Sequence, residues 1–255
     1  MAIDNMEFHV KDSLENMGHT VSFFSNSKII ENEAINRYLI YAADKFLREP
    51  EMLVEKRLVA SVDNFDPELI LVLLGSKVSP KTIAKIKMKS SAPIVCWCQD
   101  ALSSFGRQYL IASDYDKIFL KDRYLVDLLS SYSGRSYDYL PEACNPRVHY
   151  FEQASSEEEL SEYECEITTA ATMYYYRQRI LEQIDEYDIK IWGAKPDWLE
   201  YRLKNTHSGR HVVDRAKRLA FSSGKIVLNT LHFAEVESVN CRLFEVAGCG
   251  GFQLV

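Results

Sequence analysis

The chain has 255 residues, of which 47% are hydrophobic and 26% are charged, and its formal net charge is -7. A chain of this size buries a sizeable core, as one large or two small domains. Its negative charge and its lack of a basic run argue against a nucleic-acid backbone as the main partner. It contains no signal segment and no apolar run near the roughly 20 residues of a transmembrane helix, so we expect a cytoplasmic protein. The six cysteines form no C-x-x-C pair, which indicates reduced thiols and no metal site.

The chain begins with a predicted helix that Gly18 closes, followed by a strand over residues 20–24. A doubly wound domain normally begins with a buried strand, so we expect the first strand to lie upstream of this sequence. At the other end, Val255 stops inside a predicted strand. We therefore expect an internal fragment of a longer chain. Residues 34–62 keep helical spacing on either side of a break at Pro50 and predict two covering helices.

From residue 69 the chain alternates short apolar strands with helices, which is the pattern of a parallel α/β sheet. The predicted strands of this first series span residues 69–74, 94–97, 117–120 and 137–140. Ser79 and Pro80 predict a cap and first turn for a helix that runs to about residue 89, and a second helix spans residues 123–132. Asp100 follows the second strand, at the edge of the sheet where site residues collect, although a capping or loop aspartate explains it as well.

An acidic segment, residues 151–164, predicts an interdomain linker with a solvated helix, and a second α/β series follows it. Its predicted strands span residues 165–169, 189–192 and 226–228, and its predicted helices span residues 174–186, 196–204 and 212–221. Trp192 and Gly193 end the second of these strands. Trp192 fits a ring that stacks on a base, and it also fits a half-buried aromatic that covers the sheet.

The last thirty residues predict a buried strand, a polar loop, a short helix, a glycine turn and the start of another strand. The helix is expected to bury one stripe and to leave a polar stripe of Ser238, Arg242 and Glu245 beside it; the buried stripe consists of Val239, Leu243, Val246 and Ala247. Arg242 suits a phosphate and Glu245 suits a pair of sugar hydroxyls. The same two residues, three apart on a helix, also fit an ion pair at the surface.

Two motifs resemble the CgeB-like (spore maturation protein type) glycosyltransferase family. Residues 237–254 follow the pattern E-S-x-N-x-R-x-F-E-x-A-G-C-G-G-F-Q-L, in which Glu237 and Glu245 form the Glu-x7-Glu arrangement of many GT-B enzymes. Residues 140–146, LPEACNP, resemble the loop that precedes the domain crossover in that family. The sequence departs from the family where Ala170 and Ala171 replace its glycine region, since a Cβ there limits how closely a diphosphate approaches.

The resemblance implies a GT-B-like architecture, with two Rossmann-like α/β domains that face each other across a cleft and parallel sheets with helices on both faces. We assign residues 1–150 to an acceptor-side domain and residues 151–255 to a donor domain. The implied activity moves a sugar from a nucleoside-diphosphate sugar to an unknown acceptor, without a cofactor and without a bound metal.

These patterns together give two groups of candidate site residues. The catalytic candidates are Glu237, Arg242 and Asp100. The donor-binding candidates are Glu245, Asn240, Ser238, Arg177, Gly193 and Trp192. The resemblance implies that Glu245 holds the ribose or sugar, while Glu237 and Asn240 lie near the donor sugar and its phosphates.

Two alternatives to transfer remain open at this point: a nucleotide-sugar-binding or scaffold protein without turnover, and a GT-B-like nucleotide-sugar epimerase.

Asp114 and Asp116 form an Asp-x-Asp motif. In the GT-A class such a motif binds metal and follows a hydrophobic strand. Here it precedes one, so we interpret it as the polar entry to a strand.

Overall fold

The structure is a computed structural model that describes residues 5–24, 52–73, 78–104 and 113–255, together with residues 39, 42, 46 and 111. The greater part of the helix predicted before Pro50 lies outside these residues. Two compact units divide the chain. We call them the first-sheet unit, Gly18–Glu142 with Ala234–Ser238, and the second-sheet unit, Met1–Met17 with Ala143–Phe233 and Val239–Val255. The predicted assignment of domains to residues 1–150 and 151–255 stays a prediction.

Strands and helices alternate along both units, as the apolar pattern predicts. The described strands are β1 (Ile70–Leu73), β2 (Ile94–Cys98), β3 (Lys117–Leu120), β4 (Asp138–Tyr139), β5 (Cys165–Ala170), β6 (Ile189–Trp192), β7 (Gly224–Leu228) and β8 (Gln253–Leu254). The described helices are α1 (Met6–Asn16), α2 (Met52–Phe65), α3 (Pro80–Lys87), α4 (Arg123–Ser133), α5 (Glu157–Tyr163), α6 (Tyr175–Leu181), α7 (Tyr201–Lys204), α8 (Asp214–Ser223) and α9 (Arg242–Gly248).

The first sheet is parallel, with its strands in the order β1-β2-β3-β4. The predicted cap of α3 is confirmed, because the Ser79 side chain accepts a hydrogen bond of 3.1 Å from the Thr82 N–H and Pro80 begins the helix. Ile83 and Ile86 of this helix are buried in the same core as Ile94 and Ile118 of the sheet. The apolar strands therefore lie inside the unit, as a parallel sheet covered by helices requires.

The second sheet is also parallel, in the order β6-β5-β7-β8. The chain adds β6 on one side of β5 and then continues with β7 on the other side, so the direction of winding reverses between β5 and β7. In open α/β sheets, ligands bind outside the carboxyl ends of the strands at such a reversal. The predicted fold class is confirmed: both sheets are parallel and flanked by helices, in a Rossmann-like arrangement.

Three predicted elements differ in the structure. Residues 19–24 form no strand, and no strand in the described part of the chain pairs with them. The helix predicted over residues 196–204 is reduced to Tyr201–Lys204, so Leu199 is buried as expected but Trp198 is half exposed. The last helix begins at Arg242 and not near Ser238.

The glycine turn after α9 is a place where backbone and side chains pack closely. A Cβ atom on Gly251 would lie 2.6 Å from the carbonyl oxygen of Phe221 and 2.9 Å from Cγ1 of Val246. The turn therefore fixes β8 against α8 and α9 because no side chain stands between them.

Among the helices of the described ranges, none has both the length and the apolar character needed to cross a membrane.

Candidate functional site

Arg177 joins the two loops that leave β5 and β7 at the carboxyl edge of the second sheet. Its Nε donates to Oγ1 of Thr230 over 2.8 Å, and its Nη2 donates to the Thr230 carbonyl over 2.9 Å. Its Nη1 donates to the carbonyl of Thr172 over 2.6 Å. The guanidinium is thus buried and oriented at the reversal of the sheet, with three of its five N–H groups satisfied by these two loops.

Two positive charges, those of Arg177 and Arg242, lie at this edge. Burial lowers the pKa of Arg177, and the nearby charge of Arg242 lowers it further. Among the described residues, neither arginine forms an ion pair with a carboxylate. Two guanidinium groups without carboxylate partners favour the binding of an anion, and phosphate oxygens match their fork geometry.

Asn229 connects Arg242 with Asn240 at the same edge. It follows β7 directly and is fully buried. Its amide nitrogen donates to Oδ1 of Asn240 over 3.2 Å, and the amide nitrogen of Asn240 donates back over 3.0 Å. Nη1 of Arg242 donates to Oδ1 of Asn229 over 3.3 Å. The structure therefore brings three predicted residues, Arg177, Asn240 and Arg242, to one edge of the sheet.

Glu245 lies on α9 but faces the interior. Its carboxylate oxygens lie 2.8 Å from Nζ of Lys217 and 3.5 Å from Nε2 of His149, and the side chain is buried. The predicted open polar stripe is wrong at this position, because Lys217 on α8 draws the carboxylate inward. Ala247, predicted to be buried, is exposed instead. The alternative surface ion pair between Glu245 and Arg242 does not form.

Trp192 and Gly193 are built into the unit and not into an open pocket. The Trp192 side chain is buried at 3% exposure, Tyr163 stacks on it at 5.2 Å between ring centroids, and its Nε1 donates to Thr168 over 3.0 Å. A ring covered in this way offers no face to a base, so the prediction of a stacking Trp192 is corrected. Gly193 has φ +132°, and a Cβ there would lie 2.9 Å from the carbonyl oxygen of Ala171. A glycine is therefore required by the backbone at this position.

A second group of predicted residues lies at the carboxyl edge of the first sheet. A small cavity of about 10 Å³ includes Asp100, Lys121, Asp122 and Ser238 in its lining. Asp100 is exposed, and its side chain accepts a hydrogen bond of 2.7 Å from the Ala101 N–H. Asp100 and Ser238 therefore share one cavity in the first-sheet unit.

The sequence prediction missed the buried charges beside this cavity. The Lys121 side chain is 4% exposed, and its Nζ lies 3.0 Å from Glu142 and 2.8 Å from Glu235. Burial alone would lower the pKa of Lys121, but the charges of Glu142 and Glu235 outweigh it and raise the pKa. Lys121 directly follows β3, so the strand-end rule that selected Asp100 also indicates this residue.

Asp122 fixes the segment 234–238 within the first-sheet unit. Its Oδ1 caps α4 by accepting the Leu125 N–H, and its Oδ2 accepts the N–H groups of Val236 and Glu237 over 3.0 and 3.2 Å. Ser238 donates its hydroxyl to Glu235. Ser238 is thus held by a loop and lies outside the helix, which corrects its predicted place at a helix N-terminus. The Glu237 residue is exposed.

Glu142 gives the first-sheet unit a pH-dependent stability. Burial raises its pKa to about 7, from an ordinary value of 4.5, against the opposing charge of Lys121. A raised folded-state pKa contributes stability that is complete below pH 4.5 and is lost as the pH rises through 7. We expect the free energy of unfolding of the wild type to fall relative to that of Glu142→Gln between pH 5 and pH 8. Parallel curves from denaturant titrations would contradict this.

A matched control for this prediction has the opposite sign. A hydrogen bond from Arg215 lowers the pKa of Glu159 to about 2. The stability that Glu159 contributes is therefore present above pH 4.5 and lost as the pH falls through 2. In the Glu159→Gln variant, the free energy of unfolding should therefore fall between pH 5 and pH 8 by as much as it does in the wild type.

Asp114 and Asp116 have structural partners at the amino end of β3. Lys87 lies 3.2 Å from Asp114 and 2.9 Å from Asp116, and Asp116 also accepts the Ile94 N–H over 2.7 Å. These contacts agree with the interpretation of the pair as the polar entry to a strand.

Fold and geometry together define a class: a Rossmann-like α/β protein whose second sheet carries positive charge at its reversal point, suited to an anionic ligand. Residues 177–255 match a family model described as glycosyl transferase-like. The matched part begins at Arg177 and includes Asn229, Asn240, Arg242 and Glu245. It supports a glycosyl transfer function in general terms. A comparison with curated proteins finds no match.

Proposed function

We propose that the protein is a GT-B glycosyltransferase that moves a sugar from a nucleoside-diphosphate sugar to an acceptor. One observation carries the proposal: Arg177 and Arg242 lie together, without carboxylate partners among the described residues, at the reversal point of the sheet in the part that matches glycosyl transferases. CgeB-like specificity, drawn from the motifs at residues 140–146 and 237–254, belongs to the same proposal.

The proposed chemistry needs positive charge where the two arginines stand. Transfer breaks the bond between the anomeric carbon of the sugar and a phosphate oxygen, and the electron pair remains on the diphosphate. Guanidinium groups that are already oriented stabilise this charge without reorganisation. Asn229 orients Arg242, and Thr172 and Thr230 orient Arg177. In this proposal these side chains, and not a bound metal, neutralise the leaving group.

The carboxylates have separate proposed roles. Asp100 and Glu237 are the candidates that accept a proton from the acceptor hydroxyl or stabilise the sugar during transfer. Glu245 is proposed to accept hydrogen bonds from sugar or ribose hydroxyls. Because Lys217 and His149 hold Glu245 in the free protein, this role requires that a ligand share or displace these contacts.

The held position of Glu245 also supports a binding protein without turnover as a second candidate. The experiment that separates the candidates incubates the full chain with UDP-glucose, UDP-N-acetylglucosamine and GDP-mannose, and follows the products by mass spectrometry. Release of free sugar and nucleoside diphosphate from one donor, lost in Arg242→Ala, supports the transferase. An isomerised donor indicates an epimerase, and binding without any product is the result expected of a binding protein and of a transferase that lacks its acceptor. Failure of every donor to bind would contradict all three.

A further inference from the structure

Four aromatic rings form a cluster beside Arg177, two at the start of α6 and two on the loop that leaves β7. We call this cluster, which consists of Tyr174, Tyr176, His232 and Phe233, the aromatic platform. The centroids of Tyr174 and Tyr176 are 5.9 Å apart, and His232 lies 5.4 Å from Tyr174 and 4.1 Å from Phe233. Tyr176 and Phe233 are 6.4 Å apart. The hydroxyl of Tyr176 donates to the carbonyl of Leu231 over 2.9 Å, which ties α6 to the loop that leaves β7.

Two rings of the platform are exposed, and the other two, those of Tyr176 and His232, are partly buried. Phe233 is 80% exposed and Tyr174 is 40% exposed. Single exposed apolar side chains are common on protein surfaces, but a contiguous group of them usually marks a binding surface. Because most of the Phe233 ring is in contact with solvent, the ring contributes little burial to the stability of the fold.

The platform adjoins the positive charge of the candidate site. The central carbon of the Arg177 guanidinium lies 5.1 Å from the Tyr174 centroid and 5.4 Å from the Tyr176 centroid. When Arg177 binds the anionic group of a ligand, the neighbouring part of that ligand therefore lies against these rings. A second substrate that reacts with the ligand would lie there as well. The matching occupant has an apolar face next to a phosphate.

The angles between the rings favour one kind of occupant. His232 is inclined at 66° to Tyr174, and Phe233 is inclined at 85° to Tyr176. Tyr174 and Tyr176 are nearly parallel, at 13°, so the rings form corners between these tyrosines and the rings of His232 and Phe233, and not a single flat surface for the stacking of a nucleobase. A pyranose ring has the size of one such side, with C–H bonds on its faces and hydroxyl groups around its edge.

We propose that the aromatic platform binds a sugar ring beside the diphosphate. This inference rests on the proposed glycosyl transfer and extends it, because it assigns the sugar to named residues of the second-sheet unit. The sugar comes either from the donor or from a saccharide acceptor, and both sources present the same C–H face.

The test compares Phe233→Ala with the wild type and with Phe252→Ala. Phe252 is a matched control because it is 69% exposed, belongs to the same unit and precedes β8, the last strand of the sheet order, outside the aromatic platform. Calorimetric titrations use UDP, GDP, UDP-glucose, UDP-N-acetylglucosamine and GDP-mannose. A second arm titrates methyl glycosides of glucose, N-acetylglucosamine and mannose in the presence of the nucleotide that binds.

We expect Phe233→Ala to weaken the binding of a sugar-containing ligand by about fivefold or more, and that of UDP or GDP by less than about twofold. A loss with the nucleotide sugars assigns the platform to the donor, and a loss with the methyl glycosides assigns it to the acceptor. If the wild type binds a nucleotide but Phe233→Ala and Phe252→Ala have the same affinity for every ligand, the role of the platform in sugar binding is rejected and the proposed function stands. If the wild type binds neither nucleotide nor glycoside, both fail.

Discussion

Replacing Arg242 by alanine is expected to lower the affinity for the nucleoside diphosphate by about 10- to 100-fold, or roughly 1.4 to 2.8 kcal/mol. The effect is large because most of the Arg242 donors remain for a ligand in the free protein. Within the described ranges, its one hydrogen bond is that of 3.3 Å to Asn229, which uses one of its five N–H groups. Calorimetric titration of the full chain with UDP and GDP measures the change.

Two variants make this prediction specific. Arg242→Lys keeps the charge but loses the two-pronged geometry, so we expect an affinity between those of the wild type and Arg242→Ala. Arg179→Ala removes an exposed arginine of α6 that pairs with Glu182, and it should leave the affinity unchanged. A folded Arg242→Ala variant that binds as tightly as Arg179→Ala would remove Arg242 from the site.

Replacing Lys121 by methionine is expected to destabilise the protein by about 3 to 5 kcal/mol, the usual result of removing one partner of a buried ion pair. The carboxylates of Glu142 and Glu235 would then stay buried without the cation that lies 3.0 and 2.8 Å from them. Denaturant-induced unfolding measures the loss. Neutralising Glu142 as well, in the Lys121→Met, Glu142→Gln variant, should restore part of the stability.

Lys117 provides the control for this variant. It is the first residue of β3, the strand that Lys121 follows, and it pairs with Asp138, but both side chains are substantially exposed. Exposed ion pairs contribute at most about 1 kcal/mol, so Lys117→Met should have a small effect. Equal losses in Lys117→Met and Lys121→Met would show that the buried cluster contributes no more than an ordinary surface pair.

The local pattern of the sequence was enough to predict most of the strands and their covering helices. Apolar runs such as residues 94–97 predict buried parallel strands because both of their faces are covered, and the structure has β2 at this place. The cap at Ser79 was also predictable, because its partner Thr82 is only three residues away along the chain. Features that depend on neighbours along the chain are visible in the chain itself.

The start of α9 depends on distant residues, and the sequence prediction was wrong there. The apolar spacing favours a helix from about residue 238. However, Asp122 accepts the N–H groups of Val236 and Glu237, more than 110 positions away in sequence, and holds that segment as a loop. The helix therefore begins only at Arg242. No local pattern contains this contact.

In the candidate site, too, local motifs predicted some of the residues, whereas contacts between distant residues determined the positions of the others. Arg242 and Asn240 were identified from their motif, and both lie at the reversal point of the second sheet. The inward position of Glu245 follows from Lys217 on another helix, and the burial of Trp192 follows from Tyr163 in the preceding helix α5. The pair of Lys121 and Glu235 joins residues 114 positions apart, so only the position of Lys121 after β3 indicated a site there.

The most direct test of the central claim is a crystal structure of the full chain with the nucleoside diphosphate that binds in titration. The diphosphate is predicted to lie outside the carboxyl ends of β5 and β7, with its oxygens about 2.7 to 3.2 Å from nitrogens of Arg242 and Arg177. A nucleotide bound at any other place, or a diphosphate that contacts neither arginine, would contradict the assignment of this edge as the donor site.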